Sequence, residues 1–118
     1  LIAKNLDANI GVSCGPSGVV VVDIDDPSVI EDLLRRFGPT PLITSTPSGG
    51  RHLWYRNRNR QRSRNLRRSH GLAVDIKAAG GFVVVPPSVR PRDGARYAIV
   101  QGDWRCIRRL PAFRPEAL

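Results

Sequence analysis

The sequence contains no methionine, not even at its first position, and only two cysteines. An open reading frame begins with methionine, so the 118 residues are expected to be one domain taken from a longer protein. Cys14 and Cys106 cannot make a zinc site by themselves and are too few for a disulfide framework. They read as buried thiols of a reducing cytoplasm, and no zinc site is expected. No apolar run is long enough to span a bilayer and no signal-peptide pattern is present, so no membrane partner is expected. Acids are scarce, 10 against 19 lysines and arginines; the net charge of +9 and a pI near 11.2 call for a polyanionic partner.

The few acids present are placed with purpose. GVVVVDIDD (18–26) ends an apolar strand in Asp23 and Asp25. Side chains alternate along a strand, so both project from one side, about 6.6–7 Å apart at Cα. That spacing lets two carboxylates bracket a pair of divalent cations, as two-metal phosphoryl transfer requires. The plain alternative is a solvated strand end leading into a capped helix. It accounts for Asp26-Pro27, a cap followed by a first-turn proline, but not for two acids inside the strand.

STPSGGRHLWY (45–55) places a glycine turn between two strand-like runs. Gly49 and Gly50 can free backbone N–H groups toward phosphate oxygens, Ser48 can donate its hydroxyl, and His52 returns on the next strand. A plain Pro-Gly-Gly hairpin with a surface histidine explains this segment equally well on its own. In GLAVDIKAAGGFVVVPPSV (71–89), Lys77 follows Asp75 by two residues and shares its face. The pair is either a surface ion pair or a metal-bound acid beside a triphosphate contact.

Taken in order, VVVVDID, TPSGGRH and VDIK, followed by GGFVVVPPSV, resemble the motifs of the bifunctional DNA primase/polymerase N-terminal family of the archaeal–eukaryotic primase superfamily. The resemblance runs from about Asn9 to Val89. It implies an α/β (α+β) catalytic core with a mixed, largely antiparallel sheet flanked by helices. It also implies a metal-dependent nucleotidyltransferase serving replication of a plasmid, phage or mobile element. By the same resemblance Asp23, Asp25 and Asp75 hold Mg²⁺ or Mn²⁺, and Ser48 and His52 contact the phosphates of an incoming nucleoside triphosphate. Lys77 as a triphosphate contact extends that pattern. Domains of this family carry further helical sequence ahead of the strand near Asn9, which implies that this one is N-terminally incomplete. Implied partners are nucleoside triphosphates, single-stranded or primer-template DNA, and a helicase domain in the parent chain. A non-catalytic single-stranded nucleic-acid-binding remnant and a metal-dependent nuclease remain as alternatives; the turn at Ser48 favours a triphosphate over the nuclease substrate.

Around these motifs the pattern predicts strands at 10–13, 19–24, 41–46, 51–56 and 96–100, and a helix from Pro27 to Phe37 closed by Gly38. Residues 71–77 and 82–85 are expected to pair as a hairpin around Ala-Ala-Gly-Gly, with Pro86-Pro87 as a stop and a short helical stretch before Leu110-Pro111. The tract RNRNRQRSRNLRR (56–68) reads as an exposed loop. Its Arg56, Arg58, Arg60, Arg62, Arg64, Arg67 and Arg68 either form a solvated surface or guide template phosphates. Of the aromatics beside it, Trp54 shares the face of His52 and is expected to be the one that stacks on bases.

Overall fold

The computed structural model describes residues 1–6 and 9–117, with the side chains of Lys4, Asn5, Leu6 and Arg68 outside that description. Two antiparallel sheets and a helical layer form the molecule. The large sheet has the order β6-β7-β3-β5-β4-β9, and the small one β1-β2-β8. In chain order the strands are β1 (Ala3–Leu6), β2 (Asn9–Ser13), β3 (Val19–Ile24), β4 (Ile43–Ser45) and β5 (Arg51–Arg56). β6 (Arg64–Asn65), β7 (Val74–Lys77), β8 (Phe82–Val85) and β9 (Ala98–Gln101) follow, and a single helical turn, α1 (Cys14–Ser17), joins β2 to β3. Every pairing of these strands is antiparallel, and parallel contact is confined to isolated bridges such as Arg56 to Ala112. This is the largely antiparallel α/β core that the motifs implied.

β3 is apolar without a break from Val19 to Val22 because both its faces are covered there. Val20, Val22 and Ile24 pack with Leu53, Tyr55 and Phe113 under helix α2 (Ile30–Phe37), which contributes Leu33 and Phe37. Val19 and Val21 face the other way, with Trp54, against Val12, Val83 and Val85 of the small sheet. The strand thus sits at the centre of two cores. A 3₁₀ turn (Pro27–Val29) capped by the Asp26 carboxylate leads into α2, and Gly38 ends it at φ 91°. Tyr55 then fixes this end: its hydroxyl donates to the Gly38 carbonyl at 2.8 Å, and its ring lies 6.2 Å from that of Phe37. Burial pushes the Tyr55 phenol well above its usual range, so it remains a donor.

Three expectations change, and one strand is new. Residues 74–77 and 82–85 do not form a hairpin. Both edges of β7 are already occupied, by β3 and β6, so after the turn closed by Gly81 N–H to the Ala78 carbonyl the chain crosses to pair with β2. Val83 and Val85 thereby bury on the second core. The arginine tract is not all loop: its second half forms β6 and α3 (Leu66–His70), anchored by the fully buried Leu66. β1, which carries no strong strand pattern, pairs along the whole of its length with β2. Trp54 is wholly buried, its indole N–H donating to Thr44 Oγ1 at 3.1 Å and its ring edge-on to Trp104, so it cannot stack on a base. Both cysteines are free and buried, and burial raises the Cys14 thiol to about 11.

Tyr55→Phe should lower unfolding stability by about 1–3 kcal/mol, because it leaves the buried Gly38 carbonyl without its donor. Urea melts of the two proteins measure this; matching midpoints would show that the carbonyl finds another partner.

Candidate active site

β3 stops being covered where its sequence turns acidic. Directly opposite residues of antiparallel neighbours project to the same side, so register decides which side chains meet. Asp23 stands opposite His52 of β5 and opposite Asp75 of β7. The row continues to Thr44 on β4 beyond His52 and to Asn65 on β6 beyond Asp75. A polar line, Thr44–His52–Asp23–Asp75–Asn65, therefore crosses five strands on the face that holds the second core. One step back along the same face, Trp54, Val21 and Lys77 form the next row, of which Trp54 and Val21 are buried. Asp25 lies just past the end of β3 and is exposed.

The turn between β4 and β5 folds against this end of β3. Thr46 N–H donates to the Gly50 carbonyl, and Gly49 N–H to the Thr46 carbonyl, at 3.2 and 3.0 Å. The N–H of Gly49 is thus spent inside the turn rather than offered outward. Gly50 is required by contact: a Cβ there would stand 2.3 Å from the Ile24 carbonyl oxygen. The absence of that atom seats the turn on the strand end and holds Ser48 beside the acids. The Ser48 and Thr46 hydroxyls lie 3.3 Å apart.

The acids repel one another, and the chain supplies partners for two of them. His52 Nε2 lies 3.2 Å from Asp23 Oδ1, and Lys77 Nζ 3.5 Å from Asp75 Oδ2. Asn65 Nδ2 donates to the other Asp75 oxygen at 2.5 Å. Asp25 has no ion-pair partner among the described residues. The other ring nitrogen of His52, Nδ1, is buried with no hydrogen-bond partner, a costly arrangement and the one such side-chain atom among the described residues. Among those residues no group of three or more His, Cys, Asp or Glu is arranged to hold a metal ion.

These groups open into a cleft of about 310 Å³. Asp23, Asp25, Ser48, His52 and Lys77 line it, whereas Asp75, Gly49 and Gly50 do not. Sequence reasoning missed the far wall, built by Phe82 of β8 with Arg90 and Tyr97. Arg90 is fixed by a two-pronged pair with Asp93, 3.0 and 2.6 Å, and Tyr97 by its N–H to the Ser88 carbonyl. The signal was available in Arg90-Pro-Arg-Asp-Gly, whose turn residues return the chain toward the strand it left.

Among the described residues, no arginine of the tract lines this cleft. Arg56 is half-buried and donates to the Ile107 carbonyl at 2.6 Å. Arg64 stands opposite Ile76, and so on the face away from the acids. Arg67 is exposed on α3, Arg58, Arg60 and Arg62 are exposed in the loop after β5, and the Arg68 side chain is outside the described residues.

The family model for the bifunctional DNA primase/polymerase N-terminal domain, Prim-Pol, matches residues 1–113. The match extends past both ends of the segment over which the motifs were read. No curated protein matches the chain.

Gly50→Ala should destabilise the fold by about 1–3 kcal/mol, since its methyl group meets rigid backbone rather than a movable side chain. An unchanged denaturation midpoint would mean that the turn is not seated on β3. A second expectation concerns pH. The Arg90 guanidinium, followed by the Ala95 N–H, holds the Asp93 carboxyl down at about 2. A folded-state value below the unfolded one stabilises at higher pH, and the gain is lost as pH falls from about 4 through about 2. The difference in Tm between wild type and Asp93→Asn should therefore hold above pH 5 and vanish near pH 2. A difference that persists there would assign the effect to the turn backbone instead.

Proposed function

We propose, starting from the fact that the chain belongs to the Prim-Pol family, that its cleft performs DNA primase/polymerase-type nucleotidyl transfer. In this reading the chain works as one domain of a longer cytoplasmic replication protein of a plasmid, phage or mobile element. The observation that carries it is the register that lines up His52, Asp23 and Asp75 on adjacent strands beside a cleft shared with Asp25, Ser48 and Lys77.

Asp23, Asp25 and Asp75 would hold Mg²⁺ or Mn²⁺, since carboxylate oxygens are the donors these hard cations take, and among the described residues Asp25 has no competing ion-pair partner. When bound, such ions acidify the attacking 3′-hydroxyl and neutralise charge on the transferring phosphoryl group. The rest is positioning by the chain itself. Ser48 donates its hydroxyl to a β- or γ-phosphate oxygen at the turn. Lys77 supplies a point charge from the cleft floor, and Arg90, already oriented by Asp93, supplies a second from the opposite wall. His52 presents Nε2 to the cleft side, where Asp23 and a phosphate oxygen are alternative acceptors. Phe82 and Tyr97 give the base an apolar edge to lie against.

One observation favours a second reading, a non-catalytic domain that binds a nucleic-acid strand. Two of the three acids are already paired with His52 and Lys77, and the described residues contain no three-ligand metal group.

Titration of a labelled nucleoside triphosphate with Mn²⁺, together with primer extension, separates the two. His52→Ala should weaken triphosphate affinity about ten- to a hundredfold, the worth of a charged hydrogen bond of about 1.5–3 kcal/mol. Asp23→Asn and Asp25→Asn should abolish Mn²⁺-dependent incorporation with the fold intact by circular dichroism. Incorporation at the wild-type rate in either Asn variant would reject the metal assignment. Equal triphosphate affinities of wild type and His52→Ala would favour the binding-only domain.

A further inference from the structure

The loop that follows β5 is not slack. Asn57 and Gln61 close it on itself, Nδ2 of Asn57 donating to the Gln61 carbonyl and Gln61 N–H to Asn57 Oδ1, both at 3.0 Å. Asn57 N–H ties one side to the Gly18 carbonyl at 2.9 Å, where β3 begins. Ala79 N–H to the Gln61 carbonyl and Ser63 N–H to the Ala79 carbonyl tie the other side to the chain leaving β7. The amides at 57 and 61 hold the loop, and the alternate residues Arg58, Arg60 and Arg62 are left to line a concavity of about 400 Å³. Asn57 lines it too, with Gly15, Gly18 and Ala79, the last three adding almost no side chain. Arg60 is held at φ 54°, a left-handed backbone that non-glycine residues rarely adopt. All three arginines are exposed, and among the described residues none has an acidic partner. Strain and unpaired charge kept together in an ordered loop mark a binding device rather than a solvated spacer.

We propose that this concavity is a second anion site, separate from the acidic cleft, that takes consecutive phosphates of a single nucleic-acid strand. Among the described residues the lining has no acid and no aromatic to stack on a base, and its one amide, Asn57, is committed to Gln61, so it suits phosphate backbone better than base edges. Three guanidinium forks more than fill the two non-bridging oxygens of one phosphodiester, and suit a run of them. The position relative to the cleft sets the path. Asp23 and Val19 are separated along β3 by about 13 Å. β7 runs antiparallel beside them, with Asp75 opposite Asp23, Lys77 opposite Val21, and Ala79 at the concavity. A strand leaving the cleft would pass Lys77 and reach the arginines. The site draws on the polynucleotide partner of the proposed function but not on its chemistry.

Fluorescence anisotropy of labelled oligo-dT and oligo-U against salt tests it, using the chain itself. Replacing Arg58, Arg60 and Arg62 by Ser should weaken both strands at least tenfold and lower the slope of log K against log salt by about 2, at about 0.7 per phosphate contact. Replacing Arg64 and Arg67 should change the slope by less. Arg60→Gly alone puts the residue that favours this backbone in its place, so it keeps the fold and should lower the slope by about 0.7. Triphosphate affinity of the triple variant should stay at the wild-type value. An unchanged slope in both the triple variant and Arg60→Gly overturns the site, as does a loss confined to DNA or to RNA, or duplex binding as tight as single-strand binding. If strand binding falls as expected while wild type shows no triphosphate binding, the proposed chemistry fails and this site stands.

Discussion

The pairing of β3 with β5 on one side and β7 on the other holds the rest of the molecule in place. Its hydrogen bonds satisfy the backbone of a strand buried on both faces, which is why four consecutive valines can occupy the centre. The same register decides the chemistry at the strand's end. A slip of one residue would turn Asp23 into the helix-covered core and expose Val22 in its place. Burial of Val20, Val22 and Ile24 on one face and Val21 with Trp54 on the other penalises that slip heavily. The core therefore aims the acids without contacting them.

Opposed carboxylates on neighbouring strands would normally weaken a sheet. Here the two adjacent acids are flanked by partners: His52 beside Asp23, Asn65 beside Asp75, and Lys77 one row back. This keeps the sheet intact with no cation bound, yet each partner is weak enough to exchange. Lys77 and Asp75 are both about a third exposed at 3.5 Å, a pair worth about 0–1 kcal/mol. The buried, unpartnered Nδ1 of His52 is the residual cost of the arrangement, and it sits at the residue where sheet and cleft meet.

What could be read from the sequence follows from which signals are local. The strands 19–24 and 51–56, the helix after Asp26-Pro27 and the facing of Asp23 with Asp25 are local patterns, and the fold keeps them. The partner of 82–85 is not local: its apolar alternation fits either a hairpin with β7 or a crossing to β2, and only the occupied edges of β7 decide. Trp54 shows the same limit. Its facing was legible, but its cover by the small sheet and Trp104 was not. In the arginine tract, Leu66 alone carried the apolar signal for ordered structure, and hydrogen bonds of Asn57 and Asn65 to neighbours in sequence supplied the rest. At Arg90 and Tyr97 the turn Arg90-Pro-Arg-Asp-Gly was legible, but the return of Tyr97 to pair with Ser88, which brings both residues to the cleft, was not.

The distribution of charge along β3 is a consequence of having both signs do work. An arginine cluster at the acidic end would pair with Asp23 and Asp25 and disarm both. At about 13 Å along the strand the two groups lie beyond the screening length of about 8 Å at physiological salt, so neither cancels the other across solvent. Lys77, midway on the same face, is close enough to steady Asp75 yet exposed enough to meet a passing phosphate. With a net charge of +9 the surface gathers polyanions generally. Asp23 and Asp25 set a local excess of negative charge at the other end of β3, so the two ends of one strand present opposite signs within a basic surface.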